Sequence, residues 1–189
     1  MTYAEALERL KRGNAEFLSR QDGAVTAGTG AERRAELAEN GQKPFAVVVS
    51  CSDSRVVPEY IFSAGLGNLF VVRTAGNAVG DFERGTVEYG VLHLGAKLVV
   101  VLGHTHCGAV AAALEPAHGH TPESLGLLVA EVASAVAGTD DPRDAERLNA
   151  RRSAERLLES DALATLAASG EIAVVSAVYD IRSGAVNFA

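Results

Sequence analysis

The sequence predicts an α/β fold with a central, mostly parallel β-sheet flanked by helices and a helical arm at the N-terminus. Three short apolar runs have the length and continuity of strands that are covered on both faces. These runs are Phe45 to Ser50, Leu69 to Arg73 and Lys97 to Leu102. Segments of helical periodicity lie between and after them, an alternation typical of parallel sheets. We therefore expect one domain over residues 1–189, with the arm over 1–40 and the α/β core over 41–189.

Two helices are predicted in the arm. Apolar residues recur at roughly helical spacing among charged ones from Tyr3 to Phe17, which indicates an amphipathic helix. A connection rich in Gly, Thr and Ala follows from Gln21 to Gly30, and a second helix from Ala31 to Glu39 ends at Asn40-Gly41. The first helix fits an arm lying across a partner chain and a solvated surface helix equally well.

The remaining elements follow along the core. The predicted helices are Glu59 to Ala64, Phe82 to Leu94, Ala109 to Leu114, Ser124 to Ala137 and Ala145 to Ala168. Ile172 to Tyr179 is predicted as a late strand, and Ala185 to Phe188 as its partner across a turn at Arg182 to Gly184. The stretch from Glu115 to Pro122 is predicted as a surface loop.

Composition excludes several classes of partner. Hydrophobic residues make up 48% of the chain and charged residues 22%, far from the signature of disorder. The formal net charge of -7 leaves no basic surface for nucleic acid. No apolar run approaches the roughly 20 residues of a membrane-spanning helix, and no secretory signal is visible. We expect a cytoplasmic protein that binds neither nucleic acid nor membrane.

Two predicted strands end in residues that suit a metal ion. The first runs into Cys51-Ser52-Asp53-Ser54-Arg55, and the third into Gly103-His104-Thr105-His106-Cys107-Gly108. The carboxyl ends of parallel strands meet at one edge of a sheet, where ligands bind. Catalytic zinc sites use three protein ligands and keep a fourth position open. Cys51, His104 and Cys107 supply such a set, although each alone also fits a buried thiol or a loop histidine.

Several motifs resemble the β-class carbonic anhydrases in order and spacing. They are C-S-D-S-R-V, R-T-A-G-N, E-Y-x-V-x-H-L-G and G-H-T-H-C-G-A-V. The likeness covers nearly the whole chain, and the combination of C-x-D-x-R with H-x-x-C is highly specific. The resemblance implies that Cys51, His104 and Cys107 bind one Zn²⁺ per chain. It also implies hydration of carbon dioxide to bicarbonate and a proton by attack of zinc-bound hydroxide.

The resemblance assigns further residues around the metal. Asp53 and Arg55 are implied to form a pair that controls the fourth position on zinc, whereas the residues alone also fit a local salt bridge. The residues implied to line the substrate pocket are Gln42, Phe70, Tyr89 and Gly108, the last through its backbone N–H. The family builds this pocket between subunits, so the first three are expected to serve the neighbouring chain's zinc in a homodimer or a dimer of dimers. For Phe70 and Tyr89, core packing is an equal alternative from composition.

Two departures bear on subtype and substrate. The family has an inhibited state associated with a tryptophan before the first zinc cysteine; this chain has no Trp and carries Val48 there, so it resembles the open, plant-like form. Ala75 stands where a larger apolar residue can line the pocket. Some relatives with the same zinc ligands hydrolyse carbonyl sulfide or carbon disulfide, which is the alternative enzyme. A non-catalytic zinc protein is the alternative of another class, and it needs a fourth ligand from His106 or Asp53.

Overall fold

The computed structural model describes residues 1–20, 28–115 and 122–189. The strands are β1 (Ala46–Cys51), β2 (Leu69–Thr74), β3 (Leu98–His104), β4 (Ala173–Tyr179) and β5 (Val186–Phe188). The helices are α1 (Tyr3–Ser19), α2 (Ala31–Asn40), α3 (Pro58–Ile61), α4 (Asp81–Leu92), α5 (Gly108–Leu114), α6 (Glu123–Val136), α7 (Pro142–Leu157) and α8 (Asp161–Ala168), with a 3-10 turn at Ala75–Asn77. Among these, no helix combines the length and apolar character that a bilayer crossing requires. The predicted connection over Gln21 to Gly30 and the loop over Glu115 to Pro122 lie mostly outside the described residues.

The sheet has the order β2-β1-β3-β4-β5. Strands β1 to β4 are parallel to their neighbours, and β5 pairs antiparallel with β4. After β1 the chain adds β2 on one side and then β3 on the other, so the boundary between β1 and β3 is a topological switch point. Cys51 ends β1 and His104 ends β3 at this point. The predicted α/β fold with its N-terminal helix is confirmed.

Both faces of the central strands are covered. Val48 of β1 and Val100 of β3 face a cluster that includes α1 and α3, while Val49 and Val101 face α4, α7 and α8. Every residue of β1 and β3 is buried. This double burial explains why the two strands read as continuous apolar runs rather than as alternating ones.

The inner side of α1 packs on the sheet of its own chain. Ala6 and Leu10 are fully buried, and the helix begins with a capping box between Thr2 and Glu5. Asn14 is also buried: its Nδ2 donates to the carbonyls of Ile61 and Gly184, and its Oδ1 accepts from the backbone N–H of Val186. These bonds connect α1 to the end of α3 and to the start of β5.

Two predicted helices differ from the structure. The single helix predicted from Ala145 to Ala168 is divided into α7 and α8, because Ser160 starts a new helix. Its Oγ accepts from the backbone N–H of Leu163 at 3.3 Å and donates to Glu88 Oε1 at 2.6 Å. The helix predicted from Glu59 to Ala64 is the shorter α3, which starts earlier because a proline occupies its first position.

Gly13→Ala is expected to lower the free energy of unfolding by about 1–3 kcal/mol, because a Cβ at this position would overlap the carbonyl group of Phe62. Helix propensity alone predicts the opposite sign, a gain of about 1 kcal/mol. Urea unfolding of both proteins measures the difference. Lys11→Ala on the exposed side of α1 is the control and should change stability by less than about 0.5 kcal/mol. A Gly13→Ala protein as stable as the native one would contradict the packing of α1.

Candidate metal centre

Three side chains at the switch point form a potential metal site. The ligand atoms of Cys51, His104 and Cys107 all lie within 4.8 Å of one another. The residues are 5%, 1% and 3% exposed. Cys51 and His104 end adjacent parallel strands, and Cys107 is the N-cap residue of α5. The predicted ligand set is therefore brought together by the sheet and the first turn after it.

The imidazole of His104 is oriented for a metal. Its Nδ1 lies 2.9 Å from the carbonyl oxygen of Thr105, which assigns the ring proton to Nδ1. Its Nε2 is buried and has no hydrogen-bond partner among the described residues. A buried lone pair without a donor is costly unless a cation binds it. A metal-bound histidine commonly has this arrangement, with the far nitrogen donating to a carbonyl.

The two thiols favour one negative charge between them. The Cys107 thiol, His104 and the backbone N–H groups of Asp53 and Gly76 lower the pKa of Cys51, against the effect of burial. The neighbouring Cys51 and burial raise the pKa of Cys107. A second thiolate beside the first is thus unfavourable without added positive charge. A divalent cation between them supplies that charge, so the residues present fit zinc.

Asp53 and Arg55 form a bidentate ion pair beside this site. Asp53 Oδ1 accepts from Arg55 Nε at 2.9 Å, and Oδ2 accepts from Arg55 Nη2 at 2.6 Å. Oδ1 also accepts from the backbone N–H of Arg55, and the backbone N–H of Asp53 lies 3.4 Å from Cys51 Sγ. The Arg55 guanidinium holds the pKa of the Asp53 carboxyl well below its usual range. Asp53 therefore stays ionised close to the thiol.

No fourth protein ligand completes the cluster among the residues that the structure describes. Both oxygens of Asp53 are bonded to Arg55. His106 is exposed, has a left-handed φ of 58°, and accepts from Arg55 Nη2 through its carbonyl oxygen at 3.1 Å. The three-ligand site therefore resembles a catalytic zinc centre more than a closed structural one.

Arg73 and Gly76 contribute to the site and were not assigned from the sequence. Arg73 Nε donates to the carbonyl of Cys51 at 3.1 Å, and its Nη2 donates to the carbonyl of Asp53 at 2.8 Å. The backbone N–H of Gly76 donates to Cys51 Sγ at 3.2 Å. Both residues lie in the R-T-A-G-N stretch. The sequence identifies this stretch as part of a family motif but does not indicate these hydrogen bonds. Together they hold the loop that carries the first thiol and the aspartate.

The residues predicted to line a pocket divide into two groups. Gly108 follows Cys107 directly, and as the first residue of α5 its N–H has no partner within the helix. Phe70 pairs with Val47 in the sheet, four residues before Cys51 and hence about 13 Å away along the strand. Tyr89 lies next to Phe70, with ring centroids 6.0 Å apart.

Gln42, exposed and before β1, also lies toward the amino end of the strand. Within one chain, the structure therefore places Gly108 alone of the four beside the metal ligands. The alternative role in core packing is only partly met by the two aromatic residues, because Phe70 is half-buried and Tyr89 is 49% exposed.

Known proteins share this sequence and this fold. A carbonic anhydrase family model matches residues 46–186. The carbonic anhydrase of Mycolicibacterium smegmatis is 38% identical over 190 residues, covering 96% of this chain and 90% of that protein. Carbonic anhydrase 2 of Mycobacterium tuberculosis is 36% identical over 189 residues, covering 95% and 89%.

Solved structures are similar as well. The β-carbonic anhydrase of Coccomyxa in complex with acetazolamide has a TM-score of 0.74 and 27% identity, over 84% of this chain and 77% of that one. One of two tetrameric β-carbonic anhydrases from Sordaria macrospora has a TM-score of 0.70 and 25% identity, over 84% and 91%. With a family model that matches most of its length and relatives that align along nearly all of it, this chain belongs to the β-carbonic anhydrase family.

Proposed function

We propose that this chain catalyses the reversible hydration of carbon dioxide to bicarbonate and a proton, with one Zn²⁺ held by Cys51, His104 and Cys107. The observation that carries the proposal is the buried set of three residues whose ligand atoms lie within 4.8 Å of one another, together with the buried Nε2 of His104 that has no hydrogen-bond partner among the described residues. Membership of the carbonic anhydrase family supports the same reaction. When bound, zinc supplies the Lewis acidity that lets water attack carbon dioxide near neutral pH.

Asp53 is the residue proposed to orient the attacking water. Its carboxylate is ionised and held by Arg55, and its backbone N–H donates to Cys51 Sγ. An ionised carboxylate accepts a hydrogen bond from the water and directs the opposite lone pair at the carbon of the substrate. The Gly108 N–H provides a donor toward the substrate oxygen, and Arg55 keeps the carboxylate from turning onto the metal.

The proposals on substrate preference and cellular location rest on the family match and the sequence rather than on these contacts. Carbon dioxide is favoured by the family match, whereas a carbonyl sulfide or carbon disulfide hydrolase shares the same three ligands and stays the alternative enzyme. The cytoplasmic location expected from the sequence stays a prediction.

We also infer a functional dimer. Phe70 lies toward the amino end of β2, away from the metal ligands of its own chain, and Tyr89 beside it belongs to α4, a helix with other large exposed side chains. Phe82 is 89% exposed and Leu92 is 53% exposed. Exposed apolar groups of this size are typical of an interface. We infer that a second copy covers this surface and that each chain completes the other's pocket, in line with the Sordaria relatives described as tetrameric.

Cys107→Ala is expected to lose both zinc and activity, because two ligands hold the ion far more weakly than three. Metal analysis should fall from about one zinc per chain toward zero, and stopped-flow carbon dioxide hydration should fall to the buffer rate. His106→Asn is the control, since Asn tolerates the left-handed backbone and His106 is not placed on the metal. Zinc retained by the first variant or lost by the second would contradict the ligand set.

Asp53→Asn is expected to keep its zinc and lose about 100-fold or more in hydration rate, because the neutral amide loses the ion pair with Arg55 and is a weaker hydrogen-bond acceptor for the attacking water. Metal analysis and stopped-flow hydration separate the two effects. Ser54→Ala, an exposed neighbour between Asp53 and Arg55, should match the native rate. Native turnover in Asp53→Asn would show that the ion pair only caps the turn.

A mixture of two inactive variants tests whether Tyr89 serves the partner's zinc. Cys107→Ala destroys the metal site of its own chain, and Tyr89→Ala removes the pocket residue. If Tyr89 acts across the interface, a mixed dimer contains one intact site, and random pairing restores roughly a quarter of the native activity. If Tyr89 acts within its own chain, co-refolding yields no activity above that of the separate variants. Mixing two Cys107→Ala preparations is the control.

A further inference from the structure

Helix α7 presents buried polar side chains toward the metal centre. Glu146 is 5% exposed and Asn149 is 2% exposed, and their spacing of three residues puts them on one side of the helix. Burying a carboxylate and an amide costs free energy unless each finds a hydrogen-bond partner. The neighbouring residues Ala145 and Ala150 are also buried, so the inward side of the helix otherwise carries small apolar side chains. The partners of the two polar side chains therefore indicate their use.

Asn149 is connected to the first thiol through one residue. Its Nδ2 donates to the carbonyl of Gly76 at 2.7 Å, and the N–H of Gly76 donates to Cys51 Sγ at 3.2 Å. Gly76 adopts a left-handed φ of 64°, and a Cβ there would lie 2.9 Å from Ala109 Cβ and 3.2 Å from a Val132 methyl. Asn149 thus holds a tightly enclosed glycine whose amide points at the sulfur.

Glu146 is connected to the second thiol through the backbone. Its Oε1 accepts from the N–H of Cys107 at 3.3 Å. Cys107 precedes α5, so this bond fixes the residue from which the thiol projects. Two loops that follow different strands are in this way tied to one rigid helix.

We propose that Glu146 and Asn149 are positioning residues that set the relative placement of the Cys51 and Cys107 sulfurs for zinc. This inference rests on the proposed zinc site. Neither side chain contacts the metal position; each acts through the backbone of the residue that it holds. Outer hydrogen bonds of this kind orient metal ligands, and their loss commonly weakens metal binding about 10- to 100-fold.

The test measures metal retention and ligand geometry rather than turnover alone. Asn149→Ala and Glu146→Ala should release zinc to a colorimetric chelator about 10- to 100-fold faster than the native chain. Replacing zinc by Co²⁺ gives a thiolate-to-metal absorption band, and we expect it to shift in both variants because the sulfur positions change. Glu146→Gln keeps an oxygen that accepts the Cys107 N–H, so it should retain zinc better than Glu146→Ala.

Ser153→Ala is the matched control. Ser153 lies on the same side of α7 and is also buried, but its Oγ accepts from the side chain of Asn77 at 3.5 Å, whereas Asn149 bonds to Gly76, the residue whose N–H donates to Cys51 Sγ. It should leave the chelator rate and the Co²⁺ band unchanged. Thermal unfolding of each metal-free protein shows whether a variant is folded, and Asn149→Asp replaces Asn149→Ala if the latter is not.

Two outcomes overturn the inference. If folded Asn149 and Glu146 variants keep the native release rate and Co²⁺ band, the two residues serve the packing of α7 only. If Ser153→Ala shifts both readouts as much as they do, the effect belongs to the helix as a whole. A native chain that binds no zinc would instead refute the proposed function, so the two failures are distinguishable.

Discussion

The sulfurs of Cys51 and Cys107 and a ring nitrogen of His104 lie within 4.8 Å of one another because β1 and β3 are adjacent parallel strands ending at the same edge. The site is buried, so water cannot solvate the charge that the thiols carry when they ionise. The interaction between the two thiols lowers the pKa of Cys51 against the effect of burial and raises the pKa of Cys107, so one thiolate is favoured and the second is not. A divalent cation would compensate the charge of both thiolates, so metal binding and the local folding of this site are coupled.

Charge balance links the proposed metal ligands to the Asp53–Arg55 pair. Two thiolates would offset the charge of a bound Zn²⁺, and N–H groups that donate to sulfur would reduce this effect and so keep the ion a stronger Lewis acid toward water. The N–H groups of Asp53 and Gly76 both donate to Cys51 Sγ. Arg55 meanwhile keeps the Asp53 carboxylate ionised and donates to both of its oxygens. In the proposed reaction, the acidity of the metal and the hydrogen-bond acceptor for its water would therefore depend on the same few residues.

The parts of this site that follow directly from chain order could be predicted from the sequence. Cys51 and His104 come at the ends of buried runs, and parallel pairing then requires that they meet. Glu146 and Asn149 could not be found in this way, because on a helix rich in charged residues nothing marks which polar side chains turn inward. The division between α7 and α8 was missed for a similar reason: Ser160 caps a helix within a stretch of otherwise good helix formers. Phe70 and Tyr89 were identified by resemblance, and only the strand register shows that their own metal site lies out of reach.

The central claim is that these three ligands make a zinc site that hydrates carbon dioxide. The most direct measurement is stopped-flow hydration by metal-stripped protein titrated with Zn²⁺, with bound zinc determined at each point. The hydration rate should rise in proportion to bound zinc and level off at about one ion per chain. A chain that binds this zinc and still leaves carbon dioxide hydration at the buffer rate, from neutral to alkaline pH, would contradict it.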